Sequence, residues 1–187
     1  MAGRELILGG QKSGKSRRGE QLAADWLARA GTHRAVLVAT AQAHDDEMRA
    51  RIARHRADRA ARVPGIETVE EPFALARAIR AHSAPQTLVL VDCLTLWLTN
   101  LRMPADGAPC DPAVIDEATQ ALVRAIEAAA GPLVLIANEI GLGVIPVGRE
   151  VRAFVDALGR LNQQVAAACD RVTLMAAGLP LTLKAPA

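Results

Sequence analysis

Residues 9–16 read Gly9-Gly10-Gln11-Lys12-Ser13-Gly14-Lys15-Ser16. This segment follows the apolar run Glu5–Leu8 and precedes a helical pattern that begins at about Lys15. Its glycines allow successive backbone N–H groups to turn inward and surround phosphate oxygens. The spacing G-x-x-x-x-G-K-[ST], set between a strand and a helix, predicts a phosphate-binding loop (P-loop). In such a loop we expect Lys15 to contact the terminal phosphates and the Ser16 hydroxyl to bind Mg²⁺.

Short apolar runs alternate with amphipathic stretches along the rest of the chain. The predicted strands are Glu5–Leu8, Ala35–Thr40, Thr87–Val91, Leu133–Ala137 and Arg171–Met175, with weaker runs at Ile66–Val69 and Leu181–Leu183. The predicted helices are Ser16–Ala30, Asp45–Arg59, Phe73–Ala81, Pro112–Ala130 and about Gly148–Ala168. Nearly continuous apolar strands between helices are typical of a parallel sheet covered on both faces. We therefore expect an α/β, P-loop NTPase-like fold, a mostly parallel central sheet flanked by helices, in one nucleotide-binding domain over residues 1–187.

Composition and charge argue against several classes of protein. There are 22 Lys and Arg against 20 Asp and Glu, and two Trp, two Phe and no Tyr, so neither charge nor aromatic content favours a nucleic-acid partner. The three cysteines form no CxxC pair, which disfavours a zinc site and fits a reducing compartment. No stretch reaches the ~18 apolar residues of a transmembrane segment, and the first apolar run is too short for a signal peptide. The expected location is the cytoplasm.

An acidic residue follows the predicted strand that ends at Val91. Asp92 stands where a P-loop protein commonly places the carboxylate that holds Mg²⁺ directly or through water. The same residue type also caps the N-terminus of helices. We expect a metal-linked role for Asp92, with Ser16 as the second protein ligand, and keep the helix cap as the alternative.

The predicted helix Asp45–Arg59 is dense in arginine and carries a histidine pattern. His44, Met48, Ile52 and His55 recur at spacings of four, four and three residues, so they share one helix face. The helix follows a strand near the P-loop, at the edge where ligands bind in open α/β sheets, so its arginines suit a polyphosphate. A histidine on such a face is often structural, but an imidazole can also attack phosphorus near neutral pH. The pattern alone leaves both roles open.

Two further motifs lie towards the C-terminus. Residues 138–146 read Asn-Glu-Ile-Gly-Leu-Gly-Val-Ile-Pro and follow a predicted strand, which indicates a shaped functional loop. Residues 159–163 read Gly-Arg-Leu-Asn-Gln within a predicted helix. Their polar groups could face a pocket or a neighbouring subunit, and simple solvation is equally compatible with them.

Taken together, these motifs resemble the bifunctional adenosylcobinamide kinase/adenosylcobinamide-phosphate guanylyltransferase family of cobalamin biosynthesis. The resemblance rests on LILGGQKSGKSR, VATAQ with DDEMRARIARHR, VDCLTLWLTN, ANEIGLGVIP and GRLNQQVA, which together cover nearly the whole chain. It implies two reactions: phosphorylation of adenosylcobinamide by ATP or GTP, and transfer of GMP from GTP to adenosylcobinamide phosphate through a GMP-histidine intermediate. The family's guanylylated histidine matches His55, which we therefore predict to be the nucleophile.

The resemblance also implies a set of nucleotide contacts and a quaternary structure. The contacts map onto Gly9, Gly10, Gln11, Lys12, Ser13, Gly14, Lys15, Ser16, Ala39, Thr40, Ala41, Arg56, Ala57, Asp58, Arg59, Glu70 and Asp92. The arginines would offset phosphate charge, and Glu70 would accept hydrogen bonds from guanine or ribose. The family implies a homo-oligomer, typically a trimer, with Mg²⁺, GTP, ATP, adenosylcobinamide and its phosphate as ligands. The alternatives are a P-loop kinase of another small molecule without a covalent intermediate, and a non-catalytic GTP-binding module.

Overall fold

The computed structural model describes residues 3–43, 45–105 and 107–186. Within these ranges the strands are β1 (Arg4–Gly9), β2 (Arg34–Ala39), β3 (Glu67–Glu70), β4 (Thr87–Asp92), β5 (Leu133–Asn138), β6 (Arg171–Ala176) and β7 (Leu179–Lys184). The helices are α1 (Lys15–Leu27), α2 (Asp46–Arg62), α3 (Leu75–His82), α4 (Leu94–Arg102), α5 (Pro112–Glu127) and α6 (Arg149–Ala168). Every predicted strand and helix has a counterpart among these elements.

The described strands form one sheet in the order β3-β2-β4-β5-β1-β6-β7. All neighbouring strands are parallel except β6 and β7, which are antiparallel. The expected α/β fold with a mostly parallel, helix-flanked sheet is therefore confirmed. Because β1 lies between β5 and β6, the loop that follows β1 emerges near the middle of the sheet rather than at an edge strand.

Each face of the sheet is covered by helices, which explains why the strands are apolar almost throughout. On one face Ile7 and Leu90 pack with Ala23 and Trp26 of α1. On the other face Leu6, Leu8 and their neighbours pack against α3, α4, α5 and α6. Gly19 brings α1 close to the sheet, since a Cβ there would lie 2.9 Å from Leu90 Cδ1 and 3.0 Å from Ile136 Cδ1. This close packing holds the start of α1, and with it the P-loop, against the sheet.

Aspartate side chains cap the N-termini of two helices. Asp45 caps α2, where its side chain accepts the backbone N–H of Met48 at 2.6 Å. Asp111 caps α5, accepting from Ala113 N at 2.8 Å, and Pro112 occupies the first helical position. These side chains satisfy N–H groups that have no partner within the helix.

The structure differs from the sequence-based expectation most clearly at α4. No helix was predicted over residues 94–102, yet α4 occupies them. This helix is buried over most of its surface, so it lacks the amphipathic pattern by which surface helices are recognised. Its N-cap is Cys93, so the alternative role of Asp92 as a helix cap is wrong. Helix α2 also continues to Arg62, one turn beyond its predicted end.

Candidate functional site

The predicted site residues gather at the carboxyl ends of the parallel strands. Gly9 pairs in register with Asn138, and Ala39 pairs with both Asp92 and Glu70. Reading along the sheet, the strand ends present Glu70, Ala39, Asp92, Asn138 and Gly9 in that order. Residues far apart in the sequence therefore form one row, and this row is the edge where ligands bind in open α/β folds.

The loop between β1 and α1 has the backbone of a phosphate nest. Gly14 adopts a left-handed conformation at the N-cap of α1, and Lys12 also has a positive φ of 57°. Ser13 N donates to Gly10 O at 3.2 Å, and Ser13 O accepts from Gly178 N at 3.0 Å, which ties the loop to the turn between β6 and β7. The N-terminus of α1 adds its positive dipole to the N–H groups of the loop. This geometry can bind an anion.

Gly9 is required by close packing at the entrance to the loop. A Cβ on Gly9 would lie 2.5 Å from Met175 O and 2.6 Å from Ser13 Oγ. Gly9 O in turn accepts Glu139 N at 3.0 Å, so the loop after β5 starts beside the P-loop. The first glycine of the motif thus allows three chain segments to meet.

Ser13 carries a hydroxyl without a partner in the described part of the chain. The residue is buried, and its Oγ makes no hydrogen bond there. Buried polar atoms are nearly always hydrogen-bonded, so an unsatisfied one commonly marks a place where a ligand supplies the partner. A phosphate oxygen is an acceptor that suits this hydroxyl.

Lys15 lies over the loop, where its Nζ donates to Gly10 O at 2.7 Å. Burial lowers the pKa of the Lys15 amino group from its ordinary value, while the nearby negative charge of Asp92 acts in the opposite direction. A buried ammonium with a single carbonyl partner is well placed to receive an anionic ligand.

Ser16 and Asp92 are both half-buried, one in the first turn of α1 and the other at the end of β4. Among the described residues, no group of three or more His, Cys, Asp or Glu side chains is arranged to hold a metal ion. A hydroxyl and one carboxylate match the way Mg²⁺ is usually bound, with few protein ligands and the remainder from phosphates and water. The side chains present fit Mg²⁺ better than a metal that needs an all-protein site.

The end of β2 is held by buried hydrogen bonds. Thr40 Oγ1 donates to Cys93 O at 2.7 Å and accepts Cys93 N at 2.9 Å. Thr40 is fully buried, whereas Ala39 and Ala41 beside it are half-buried. Of the three residues 39–41 that the family resemblance assigned to the nucleotide, Ala39 and Ala41 are therefore partly exposed. The Thr40 side chain is instead hydrogen-bonded inside the protein.

His55 is exposed on α2, although Ile52 and Arg59 on the same helix face are half-buried and buried. Its side chain is therefore accessible to a ligand at a position where the helix otherwise faces the protein. His44, predicted to share this face, lies outside the described residues. Ala57 and Asp58 are exposed, and Asp58 Oδ2 pairs with Arg62 Nη2 at 3.2 Å.

The two predicted phosphate-binding arginines have protein partners in this structure. Arg56 of α2 forms an ion pair with Glu70 of β3, so two residues that were both predicted to contact the nucleotide contact each other. Arg59 is 6% exposed, with its Nε 3.8 Å from Oε1 of Glu20 on α1, and that Nε makes no hydrogen bond among the described residues. Glu20, which sequence reasoning missed, also accepts Arg62 Nη1 at 2.5 Å.

The loop after β5 lines a cavity of about 450 Å³ with α6. Apolar side chains of this loop are widely exposed, with Leu142 at 80%, Ile145 at 77% and Val144 at 97%. Arg160 and Gln163, from the second late motif, also line it, so the two motifs meet in space. Asn162 of that motif is buried and donates to Asn138 O at 3.0 Å, which fixes the end of β5.

Comparisons with known proteins identify the family of this chain. The family described as cobinamide kinase / cobinamide phosphate guanyltransferase matches residues 5–183. The chain belongs to this family. The resemblance inferred from the sequence motifs is thereby confirmed, together with the enzyme class.

Named relatives of the cobinamide kinase/guanyltransferase family match along almost their whole length. The bifunctional adenosylcobalamin biosynthesis protein CobP of Pseudomonas aeruginosa is 47% identical over 183 residues, covering 97% of each chain. The bifunctional protein CobU of Salmonella typhimurium is 37% identical over 188 residues, covering 96% of this chain and 98% of that one. Among solved structures, the flagellar accessory protein FlaH of Methanocaldococcus jannaschii aligns with a TM-score of 0.53 over 98% of this chain and 79% of that chain. At 11% identity this last likeness concerns the fold alone.

No helix in the described ranges is both long and apolar enough to cross a bilayer.

Proposed function

We propose that this enzyme phosphorylates adenosylcobinamide with ATP or GTP and then transfers GMP from GTP to adenosylcobinamide phosphate, with His55 as the covalent nucleophile. The observation that carries this proposal is an exposed histidine on the helix that follows β2, while β2, β4 and β1 present the rest of the site at one sheet edge. Membership of the cobinamide kinase/guanyltransferase family indicates which two reactions this site would catalyse.

In the kinase step the substrate hydroxyl attacks the γ-phosphorus, the bond from that phosphorus to the β,γ-bridging oxygen breaks, and the nucleoside diphosphate leaves. The hydroxyl proton passes to solvent or to a base. Catalysis of this kind depends on positioning and charge stabilisation. The loop N–H groups, the free Ser13 hydroxyl and the Lys15 ammonium would hold the phosphates, with a phosphate oxygen replacing Gly10 O as the partner of Lys15.

Ser16 and Asp92 would hold Mg²⁺ with the triphosphate. When bound, Mg²⁺ neutralises charge on the β- and γ-phosphate oxygens. Asp92 has a second effect that needs no metal, since its negative charge favours the protonated form of Lys15, the form that binds phosphate.

In the guanylyl step a ring nitrogen of His55 attacks the α-phosphorus of GTP. The N–P bond forms as the bond to the α,β-bridging oxygen breaks, and pyrophosphate leaves; the ring then loses its proton. A phosphate oxygen of adenosylcobinamide phosphate next attacks the same phosphorus, and the N–P bond breaks as the ring takes up a proton, which returns neutral His55 and gives adenosylcobinamide-GDP. An exposed imidazole is open to both substrates in turn.

The remaining proposed contacts surround the nucleoside and the inner phosphates. Ala39, Thr40 and Ala41 would contact the nucleoside at the end of β2, and Glu70 would accept hydrogen bonds from guanine or ribose. Because Arg56 is paired with Glu70, nucleotide binding at Glu70 involves sharing or replacing that ion pair. Arg59 would reach phosphate only by leaving Glu20, so its proposed nucleotide role requires movement of its side chain or of α2.

Oligomerisation is also part of the proposal. We propose a homotrimer, and the exposed edge strand β7, with Leu179, Leu181 and Leu183 on its surface, supplies apolar area for subunit contacts. Light scattering after gel filtration tests the trimer directly, and a monomer at micromolar concentration would refute it. The nucleoside triphosphate substrates favour the cytoplasm as the compartment.

The deciding experiment is covalent labelling. The protein is incubated with Mg²⁺ and GTP labelled at the α-phosphate, denatured, and tested for an acid-labile, base-stable adduct. We expect an adduct in the wild type and in the control His82→Asn, and none in His55→Asn. An undiminished adduct in His55→Asn would refute His55 as the nucleophile. If the protein phosphorylates adenosylcobinamide but forms no adduct, it is a kinase without guanylyltransferase activity. If it binds GTP but carries out neither reaction, it is a non-catalytic GTP-binding module.

A further inference from the structure

Helix α4 lies directly after the Asp92–Cys93 segment and is buried along most of its length. Its polar side chains Thr95, Trp97 and Asn100 are buried too, and each bonds to a backbone group outside the helix. A buried side chain that satisfies a distant backbone group fixes the position of that segment, because leaving the group unpaired costs free energy.

Asn100 connects two segments of the proposed nucleoside site. Its Nδ2 donates to Thr40 O at 2.8 Å and to Pro72 O at 3.1 Å. Thr40 follows β2, and Pro72 follows Glu70 at the end of β3. Both donor hydrogens of this amide are therefore used to hold the two strand exits next to each other.

Trp97 and Thr95 extend the same arrangement to other strands. Trp97 Nε1 donates to Phe73 O at 2.8 Å, which gives the segment after β3 a second anchor one residue beyond Pro72. Thr95 Oγ1 accepts Asn138 N at 2.8 Å, which anchors the end of β5. At the start of the helix, Cys93 exchanges hydrogen bonds with Thr40 Oγ1.

We propose that α4 positions the nucleoside half of the active site, with Asn100 and Trp97 as positioning residues for the segments at Ala39–Ala41 and Glu70–Phe73. This inference rests on the proposed function, in which those segments contact the nucleoside. Within the described residues, none of the hydrogen bonds of Asn100 or Trp97 goes to the P-loop, which is held instead by Gly178, Glu139 and its own turn. Through these two side chains, the nucleoside segments are thus supported separately from the phosphate-binding loop.

The separation can be measured because inorganic tripolyphosphate offers the P-loop its phosphates without a nucleoside. The variant Asn100→Leu keeps a similar volume and removes both donor hydrogens; Trp97→Phe keeps an aromatic ring and removes one. For each, dissociation constants are measured by calorimetry for Mg²⁺-GTP and for Mg²⁺-tripolyphosphate. We expect GTP binding to weaken roughly tenfold and tripolyphosphate binding to change by less than about twofold, as for loss of positioning at one part of a site.

The matched control is Thr99→Val. Thr99 Oγ1 donates to Thr95 O within α4, so this variant removes a hydrogen bond from the same helix without touching either strand exit. Both constants should stay within about twofold of the wild type. The midpoint of thermal unfolding is recorded for every variant, and Trp97→Phe retains enough packing to be assayed where Asn100→Leu does not fold.

The outcomes distinguish the inference from a purely structural role. A parallel loss of GTP and tripolyphosphate binding, or no loss of either in variants that fold, would overturn it. A kinase KM for the nucleotide that rises while kcat changes little would support it further. Failure of the wild type to bind GTP would overturn the proposed function and this inference together, whereas a wild type that binds GTP tests the inference alone.

Discussion

Arg59 of α2 and Glu20 of α1 face each other with both side chains buried, and the Nε–Oε1 distance is 3.8 Å. Arg62 completes the contact through its 2.5 Å bond to the other oxygen of Glu20. The helix that carries His55 is thereby attached to the helix that begins in the P-loop. The position of the histidine helix thus depends on this buried carboxylate as well as on the pairing of Arg56 with Glu70 of β3.

Replacement of Glu20 by glutamine should destabilise the fold. The change leaves the Arg59 guanidinium buried without a counter-charge, and breaking a buried pair in this way costs about 3–5 kcal/mol. Urea unfolding at neutral pH measures the free energy of unfolding. The control Asp25→Asn alters an exposed acid on the same helix and should stay within about 0.5 kcal/mol of the wild type. Equal stability of the two variants would contradict the assigned contact.

Gly9→Ala should destabilise the protein by about 1–3 kcal/mol, because the new Cβ would overlap Met175 O and Ser13 Oγ. Gly10→Ala provides a matched control in the same loop, since its Cβ would have no atom within 4 Å. Its thermal midpoint should lie close to that of the wild type. Similar midpoints for the two alanine variants would mean that the loop accommodates a side chain at Gly9, against the packing described here.

Lys15→Met should stabilise the fold by about 1 kcal/mol at pH 7 while abolishing nucleotide binding, as when a functional charge is removed from a buried position. Burial lowers the pKa of folded Lys15 below its ordinary value of 10.5. Below that lowered pKa the ammonium is charged in both the folded and the unfolded state, so the burial penalty is fully present. As pH rises through the lowered pKa towards 10.5, the folded form loses its proton first, and the penalty disappears.

The stability gain of Lys15→Met should therefore shrink as the pH approaches 10.5. Urea unfolding at a series of pH values measures this dependence. Lys12→Met, at an exposed position of the same loop, should show neither the gain nor the trend. If the stability gain of Lys15→Met grew as the pH rose towards 10.5, the predicted pH dependence would be wrong.

Cysteine reactivity offers a test of the core. Burial raises the pKa of the Cys93 and Cys169 thiols to about 12, so neither forms a thiolate near neutral pH. Cys110 is half-buried. Iodoacetamide at pH 8 should modify Cys110 alone in the native protein and all three cysteines after denaturation, as read by peptide mass spectrometry. Rapid native modification of Cys93 would contradict its placement beneath the site.

Much of the site could be predicted because its signals are local. The P-loop depends on glycines, a lysine and a serine at a fixed spacing between a strand and a helix, and the structure has that strand, loop and helix in the expected register. Asp92, at the end of β4, could be placed for the same reason, since parallel strands bring their carboxyl ends to one edge. His55 and its neighbours could be placed on a helix by spacing, and their nucleotide roles stay predictions.

Other features depend on partners that are distant in the sequence. Nothing near Arg59 indicates that its guanidinium meets Glu20, 39 positions earlier, instead of solvent or phosphate. The pairing of Arg56 with Glu70 has the same origin. Helix α4 was missed because burial on nearly all sides removes the amphipathic period, and the roles of Trp97 and Asn100 became visible only with the backbone groups that they contact.

The P-loop at residues 9–16, the order of strands and helices along the chain apart from α4, and the family of the protein follow from the sequence by itself, because each depends on short-range spacing and apolar pattern. The tertiary structure alone decided how the strands are ordered in the sheet, which arginines pair with protein carboxylates, and which buried donors hold the strand exits together. These are contacts between residues brought together by folding, and their free energy depends on distance and burial, which a linear pattern does not contain.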